Sequence, residues 1–172
     1  MKHFVIAITR TCGSGGTTIA KMLANDYQID MYDRKLLRLA SEDSGINETL
    51  FAAADETTKK KPLFKAFKKV FNGELIPPES NDFTSNDNLF AYQAKVLKEL
   101  TKRESYVVVG RAADYVLKDY PYLVRVFIHA PYESCVLHEM DFQSCTRKEA
   151  VDEIARMDAY RSAYYKCHAG RE

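Results

Sequence analysis

The sequence predicts an α/β protein, a parallel sheet flanked by helices, and three observations carry that expectation. Short apolar runs rich in β-branched residues, Phe4–Ile8 and Ser105–Val109 among them, have the length and composition of buried strands. Segments of helical period separate these runs. The first run passes directly into Gly13-Ser14-Gly15-Gly16 and then into a helix from Thr17, where Ile19, Met22, Leu23 and Tyr27 recur at helical spacing. A strand, a glycine loop and a helix in that order aim backbone N–H groups and a helix N-terminus at a phosphate.

Against the phosphate-loop pattern (Gly, four residues, Gly-Lys-Ser/Thr), Gly15 fits the second glycine and Thr17 the magnesium-binding hydroxyl. Gly16 stands at the lysine position and Arg10 at the first glycine. Two readings stay open on these residues alone: a phosphate cradle, or a glycine turn between a strand and a packed helix.

Further along, Ile29–Tyr32 reads as a short second strand ending in Asp33-Arg34. That places charges at the carboxyl edge of the sheet, where ligands bind in open α/β folds. Asp33 could also cap the helix expected from Lys35 to Ser41. Asn47–Ala54 has a helical pattern. In Pro62–Phe71, Leu63, Phe64, Phe67, Val70 and Phe71 share one helical face with lysines away from it. Such a segment could meet a membrane surface or nucleic acid, and the expectation here is a solvated face over a small core. Gly73–Asn88, with Pro77-Pro78 and many short polar residues, reads as loop.

Asn86 or Asp87 can cap the next helix, along which Leu89, Tyr92, Val96 and Leu100 recur. Ser105–Val109 ends in Gly110-Arg111, a second strand edge bearing a cation. Ala112–Leu117 makes a short helix containing Asp114, and Tyr122–His129 a further strand. Pro131 opens a helix over Glu133–Asp141. Thr146-Arg147-Lys148-Glu149 is a capping box that begins a long helix reaching toward Tyr165. Asp158 and Arg161 lie three apart on it, hence on one face, and the plainest reading of the pair is a surface ion pair.

At 172 residues the chain is expected to form one domain, 1–172. Lys plus Arg number 25 and Asp plus Glu 24, a formal net charge of +1, which gives no pull toward nucleic acid or membrane. No apolar run approaches a membrane span, and the N-terminus lacks a signal-peptide layout, so a cytoplasmic location is the expectation. The four cysteines show no C-x-x-C spacing and read as free thiols.

Four segments together resemble the cytidylate-kinase-like branch of the P-loop nucleoside monophosphate kinases: Ile8–Lys21, Tyr32-Asp33-Arg34, Val107–Leu117 and Asp158–Tyr165. The resemblance implies a P-loop NTPase fold with a helical monophosphate-binding insertion at 42–88 and a lid at 132–165. It implies transfer of the ATP γ-phosphoryl, with Mg²⁺, to a nucleoside monophosphate such as (d)CMP. By that resemblance Gly13, Ser14, Gly15, Gly16, Thr17 and Thr18 would cradle the ATP phosphates, with the Thr17 hydroxyl on the magnesium. Arg111 would hold the acceptor phosphate, with Arg34, Asp33 and Asp114 beside it. Asp158 and Arg161 would be the catalytic lid pair. The chain departs from the family pattern at Gly16, at Ala112 (an aspartate in cytidylate kinases), and at Cys135 and His138, where lid arginines are usual. Arg10 is the expected replacement for the missing loop lysine, the alternative being an Arg10–Asp33 ion pair. Two other functions are kept beside the kinase: a nucleotide-binding protein with weak or no catalysis and a regulatory role, and a small-molecule kinase of the same fold.

Overall fold

The computed structural model describes residues 2–60 and 72–170. Four strands, β1 (Val5–Arg10), β2 (Asp30–Tyr32), β3 (Tyr106–Val109) and β4 (Leu123–Ile128), form one sheet in the order β2-β3-β1-β4. Every neighbouring pair is parallel. The helices among the described residues are α1 (Gly16–Tyr27), α2 (Lys35–Ser44), α3 (Glu48–Lys60), α4 (Asn86–Leu100), α5 (Ala113–Val116), α6 (Tyr132–Gln143) and α7 (Arg147–Ala169). The α/β class read from the sequence is the class observed.

The central strands are apolar throughout because both faces are covered. Ile6 and Ile8 of β1 and Val107 and Val109 of β3 pack with Ala20 and Ala24 of α1. On the other face, Val5, Ala7, Tyr106 and Val108 meet Leu36, Leu97 and Val116 from α2, α4 and α5. Helix α1 turns its small residues, Gly16, Ala20 and Ala24, inward. The large residues noted at helical spacing lie to the sides: Ile19, Met22 and Tyr27 are exposed. The glycine loop ties the start of α1 to the end of β1, so the helix lies too close to the sheet for a bulky inner face.

Register decides what the sheet edge presents. Ile8 pairs with Val109, Tyr32 with Val108 and Arg10 with Ile128. The carboxyl ends of β1, β2 and β3 therefore finish together, and with them Arg10, Asp33-Arg34 and Gly110-Arg111. Strand β4 forms one edge of the sheet, with Val124 and Phe127 exposed.

The ends of the helices follow local chemistry. Thr146 accepts from the Glu149 backbone N–H while the Glu149 carboxylate accepts from that of Thr146, the capping box expected at α7. At α4 the cap is Ser85, whose hydroxyl accepts from the Asn88 backbone N–H, in place of Asn86 or Asp87. Asn88 is thereby turned inward, where its amide bonds the backbone of Ile76 and Phe83. These bonds anchor residues 72–85, which carry turns and bends but no helix or strand. Pro62–Phe71, read above as an amphipathic helix, lies outside the described residues. No helix among the described residues is long and apolar enough to cross a membrane.

Near the end of α7, His168 is 1% exposed and stacks on Phe90 with ring centroids 3.5 Å apart. Burial pushes its pKa down from the ordinary 6.5 to about 3. Below pH 6.5 the unfolded chain takes a proton that the folded chain refuses. Stability is therefore full above 6.5 and falls as pH drops toward 3, by roughly 1.4 kcal/mol per pH unit in that window. Denaturant titrations of wild type and His168→Phe between pH 4 and 8 should show this slope reduced in the variant; parallel curves would remove His168 as its source.

Candidate active site

The converging strand ends open on a cavity of about 440 Å³. Its polar side is lined by Arg10, Thr17, Asp33, Arg34, Arg111 and Arg161, drawn from β1, α1, the β2–α2 turn, the end of β3 and α7. An aromatic wall is supplied by Phe142 of α6 with Met157, Tyr160 and Tyr164 of α7, on the α7 face that also carries Arg161. Four arginines and one carboxylate line this space among the described residues, an imbalance that suits a polyanion.

Arg10 ends β1, and its side chain passes between two glycines. A Cβ built on Gly16 would lie 2.6 Å from Arg10 Cβ and 2.8 Å from its Cγ; one built on Gly110 would lie 2.8 Å from Arg10 Nη1. Both are below any real contact, and at Gly16 the opposing atom is fixed to the backbone. The glycine at the lysine position is thus imposed by the arginine beside it. The Arg10 Nε is sealed from solvent without a hydrogen-bond partner. Burial first, then the nearby Arg161 and Arg111, pushes its pKa down to about 10, so it remains a cation at neutral pH. Asp33 is the weakest of the influences on it, and the two form no ion pair.

Backbone strain marks the end of β3. Gly110, Arg111 and Ala112 are consecutively left-handed, with φ of 74°, 62° and 47°. The two non-glycine residues cost roughly 1–2 kcal/mol each there. The turn sends Arg111 into the cavity, where its Nη1 donates to Gln93 Oε1 at 3.5 Å.

Helices α6 and α7 close onto the glycine loop. Gly13, at φ +74°, has the Cys135 carbonyl oxygen 2.5 Å from where a Cβ would sit. His138 Nδ1 donates to the Gly13 carbonyl oxygen at 3.0 Å. Cys135 and His138, at the positions of the expected lid arginines, therefore hold α6 to the loop by close packing and one hydrogen bond. The Cys12 N–H donates to Asp158 Oδ1 at 2.7 Å, and Arg161 Nη1 donates to the Arg10 carbonyl oxygen at 3.4 Å. Arg161 and Asp158 lie 3.5 Å apart. The pair is a clamp from α7 onto the start of the loop, which a solvated surface pair could not be. The Cys12 thiol is pushed up to about 12 by burial and then by Glu139, which leaves it inert as a nucleophile.

The remaining expected residues are placed as follows. The Ser14 hydroxyl braces the loop by donating to the Thr11 carbonyl, and Gly15, left-handed, is the residue before α1. Thr17 faces the cavity, and Thr18 is exposed. Asp33 lines the cavity and accepts from the Arg34 and Lys35 backbone N–H groups, while the cap position of α2 itself is Arg34. Asp114, on α5 after the left-handed turn at 110–112, does not line this cavity but one beside it that shares Arg10 and Arg161. There Asp114 accepts from the Tyr165 hydroxyl at 2.7 Å and lines a second cavity of about 560 Å³ against β1 and β4. Asp158 and Arg125 line this second cavity too. Arg125 and the aromatic wall are absent from the sequence-based set. The wall's signal is Met157, Tyr160, Arg161 and Tyr164 at i, i+3, i+4 and i+7, one face of α7.

The steric relations can be tested by stability. Gly16→Ala, at the first position of a helix, would ordinarily be neutral or favourable. Here it should destabilise by about 2 kcal/mol or more, and Arg10→Gly in the same chain should restore most of the loss. Urea midpoints of the two single variants and the double variant check this; additive losses would deny the contact.

The structure is similar to the crystal structure of an uncharacterized protein from Eubacterium ventriosum, with a TM-score of 0.65 over 95% of this chain and 76% of that one. Sequence identity is 24%, so this likeness concerns the fold. No curated protein matches the chain. The cytidylate kinase-like family profile matches residues 5–172, which takes in the glycine loop, both strand-end arginines and the Asp158–Arg161 clamp. The chain belongs to the cytidylate kinase-like family.

Proposed function

We propose that the chain is a nucleoside monophosphate kinase that transfers the γ-phosphoryl of ATP to a (d)CMP-like acceptor with Mg²⁺. Family membership supports a nucleotide kinase in general. The observation that carries the reading further is Arg10, threaded between Gly16 and Gly110 and sharing one cavity with Arg34, Arg111 and Arg161.

In this reaction an acceptor phosphate oxygen attacks the γ-phosphorus while the bond to the β–γ bridging oxygen breaks and ADP leaves. The protein positions the partners in line and cancels charge. The triphosphate brings about four negative charges, and a P-loop lysine ordinarily meets those on the β- and γ-phosphates. Arg10 would take that task from the other end of the loop, its planar fork spanning two phosphate oxygens. Its surroundings suit this: a desolvated cation pressed by two others gains most from an anion. The loop N–H groups from Gly13 to Thr18 would hold the donor phosphates. Arg111, with Arg34, would fix the acceptor phosphate. Arg161, already tied to the loop through the Arg10 carbonyl, would face the transferring group. Magnesium fits the Thr17 hydroxyl, with the Asp33 carboxylate in the same cavity, and when bound would offset charge on the β- and γ-phosphates.

Arg10→Ala should lower ATP affinity and reduce turnover by about 10²–10³-fold, whereas Lys21→Ala, an exposed residue on α1, should leave both intact. An Arg10→Ala enzyme with full activity would end the relocated-cation reading; wild-type ATP binding with no transfer to any monophosphate would favour the nucleotide-binding alternative. Arg111→Lys keeps the charge and loses the fork. Acceptor affinity should then fall about tenfold while ATP affinity holds, as read by calorimetry for each ligand separately.

A further inference from the structure

Three carbonyl oxygens where β1 passes into the glycine loop are each taken by a side chain. The Arg10 carbonyl accepts from Arg161 Nη1 at 3.4 Å, the Thr11 carbonyl from the Ser14 hydroxyl at 2.8 Å, and the Gly13 carbonyl from His138 Nδ1 at 3.0 Å. A carbonyl oxygen only accepts, so the His138 ring carries a proton on Nδ1 in this contact.

In a trans peptide the C=O and the N–H of the next residue point opposite ways. Holding a carbonyl therefore aims the N–H that follows it. The first two peptides show this. With the Arg10 carbonyl turned to Arg161, the Thr11 N–H donates to the Ile128 carbonyl of β4 at 3.0 Å. With the Thr11 carbonyl on Ser14, the Cys12 N–H donates to Asp158 Oδ1 at 2.7 Å. Both of these N–H groups are spent inside the protein. The third case differs. The Gly13 carbonyl is turned to α6, and the Ser14 N–H, sent the other way, meets no acceptor among the described residues.

Helix α6 grips this one peptide from two residues on one face. Cys135 brings its carbonyl oxygen to within 2.5 Å of where a Cβ on Gly13 would stand, and His138 follows three residues later with the hydrogen bond. The close approach needs glycine at 13, and the hydrogen bond fixes the rotation of the peptide plane that glycine would otherwise leave loose. His138 itself is exposed, so its ring is not held there by burial.

We infer that His138 is a positioning residue of the donor site: by taking the Gly13 carbonyl it turns the Ser14 N–H toward the donor phosphates, so that the loop's set of N–H donors is complete only while α6 is docked. The inference rests on the donor reading of the loop given above and deepens it by naming what aims one of its donors. A backbone N–H bonded to a phosphate oxygen is a charge-assisted hydrogen bond, and misdirecting one weakens an anion by about tenfold or more.

Two replacements separate the hydrogen bond from the ring. His138→Asn carries an amide donor at the same distance along the side chain as Nδ1, and His138→Leu keeps bulk without a donor. The site is exposed, so both spare the core. Isothermal titration of the whole chain with ATP and with inorganic triphosphate, each with Mg²⁺, and with CMP reads the effect. His138→Leu should weaken ATP and triphosphate by about tenfold each and leave CMP unchanged, whereas His138→Asn should bind all three within about threefold of wild type. ATP bound by His138→Leu as by wild type would overturn the inference. So would His138→Asn as weak as His138→Leu, or a loss of CMP affinity by the same factor as ATP, since either would make His138 a general structural contact while the donor site stands. Wild-type protein that binds neither ATP nor triphosphate would remove the donor reading and this inference together.

Discussion

Strand β1 is the member on which the rest depends. It lies between β3 and β4, is paired to both, and is buried on both faces from Val5 to Ile8. Because all its neighbours are parallel to it, the chain must leave every strand at the same edge and return by a crossover. Charges that follow strands in the sequence thus gather in space, although Arg10, Arg34 and Arg111 are widely separated along the chain. Assembly of the cationic cavity is a result of topology before it is a result of any side-chain contact.

Helix α7 then divides the space above that edge. Two adjacent stripes run along it, and Arg161 and Tyr165 belong to both. One side faces the cavity with Arg34 and Arg111, the other the cavity with Asp114 and Arg125. The clamp from Asp158 to the Cys12 N–H and from Arg161 to the Arg10 carbonyl fixes this ridge over the end of β1. A helix with little apolar bias along its length is positioned by these few polar contacts and by its packing on α6 and α3. The carbonyl of Arg10 and its side chain consequently serve different neighbours, one locating α7 and the other filling the gap between two glycines, its stem against Gly16 and its guanidinium against Gly110.

Much of this was legible in the residues. Apolar runs gave the strands, and the order of strand, loop and helix gave the class. The capping box at Thr146 and Glu149 marked the start of α7 because both partners lie within four residues. The crowding of Arg10 against Gly16 also left a sign in the residues, since arginine stands at the first-glycine position and glycine at the lysine position of the same loop. Other features depend on distances that the sequence does not carry. The inner face of α1 is set by how near the helix lies to the sheet, which favours Ala20 and Ala24 over Ile19 and Met22. Asp114 lies close to Arg111 in the chain, yet it lines the adjoining cavity, which shares Arg10 and Arg161 with the first. Ser85 caps α4 while the Asn88 amide is taken up by the backbone of Ile76 and Phe83, contacts that no local pattern announces. Phe142 and Tyr160 share a wall only because α6 and α7 pack side by side.

The fit between Arg10 and Gly16 also has a historical consequence. A loop with arginine at 10 has no room for a lysine at 16, because any side chain there meets the arginine stem. Under the function proposed for Arg10, a loop that first loses it has neither cation until a second change supplies one. Passage between the two arrangements therefore needs two substitutions, with an impaired intermediate on either route. Arginine at 10 and glycine at 16 should therefore be kept together or exchanged together.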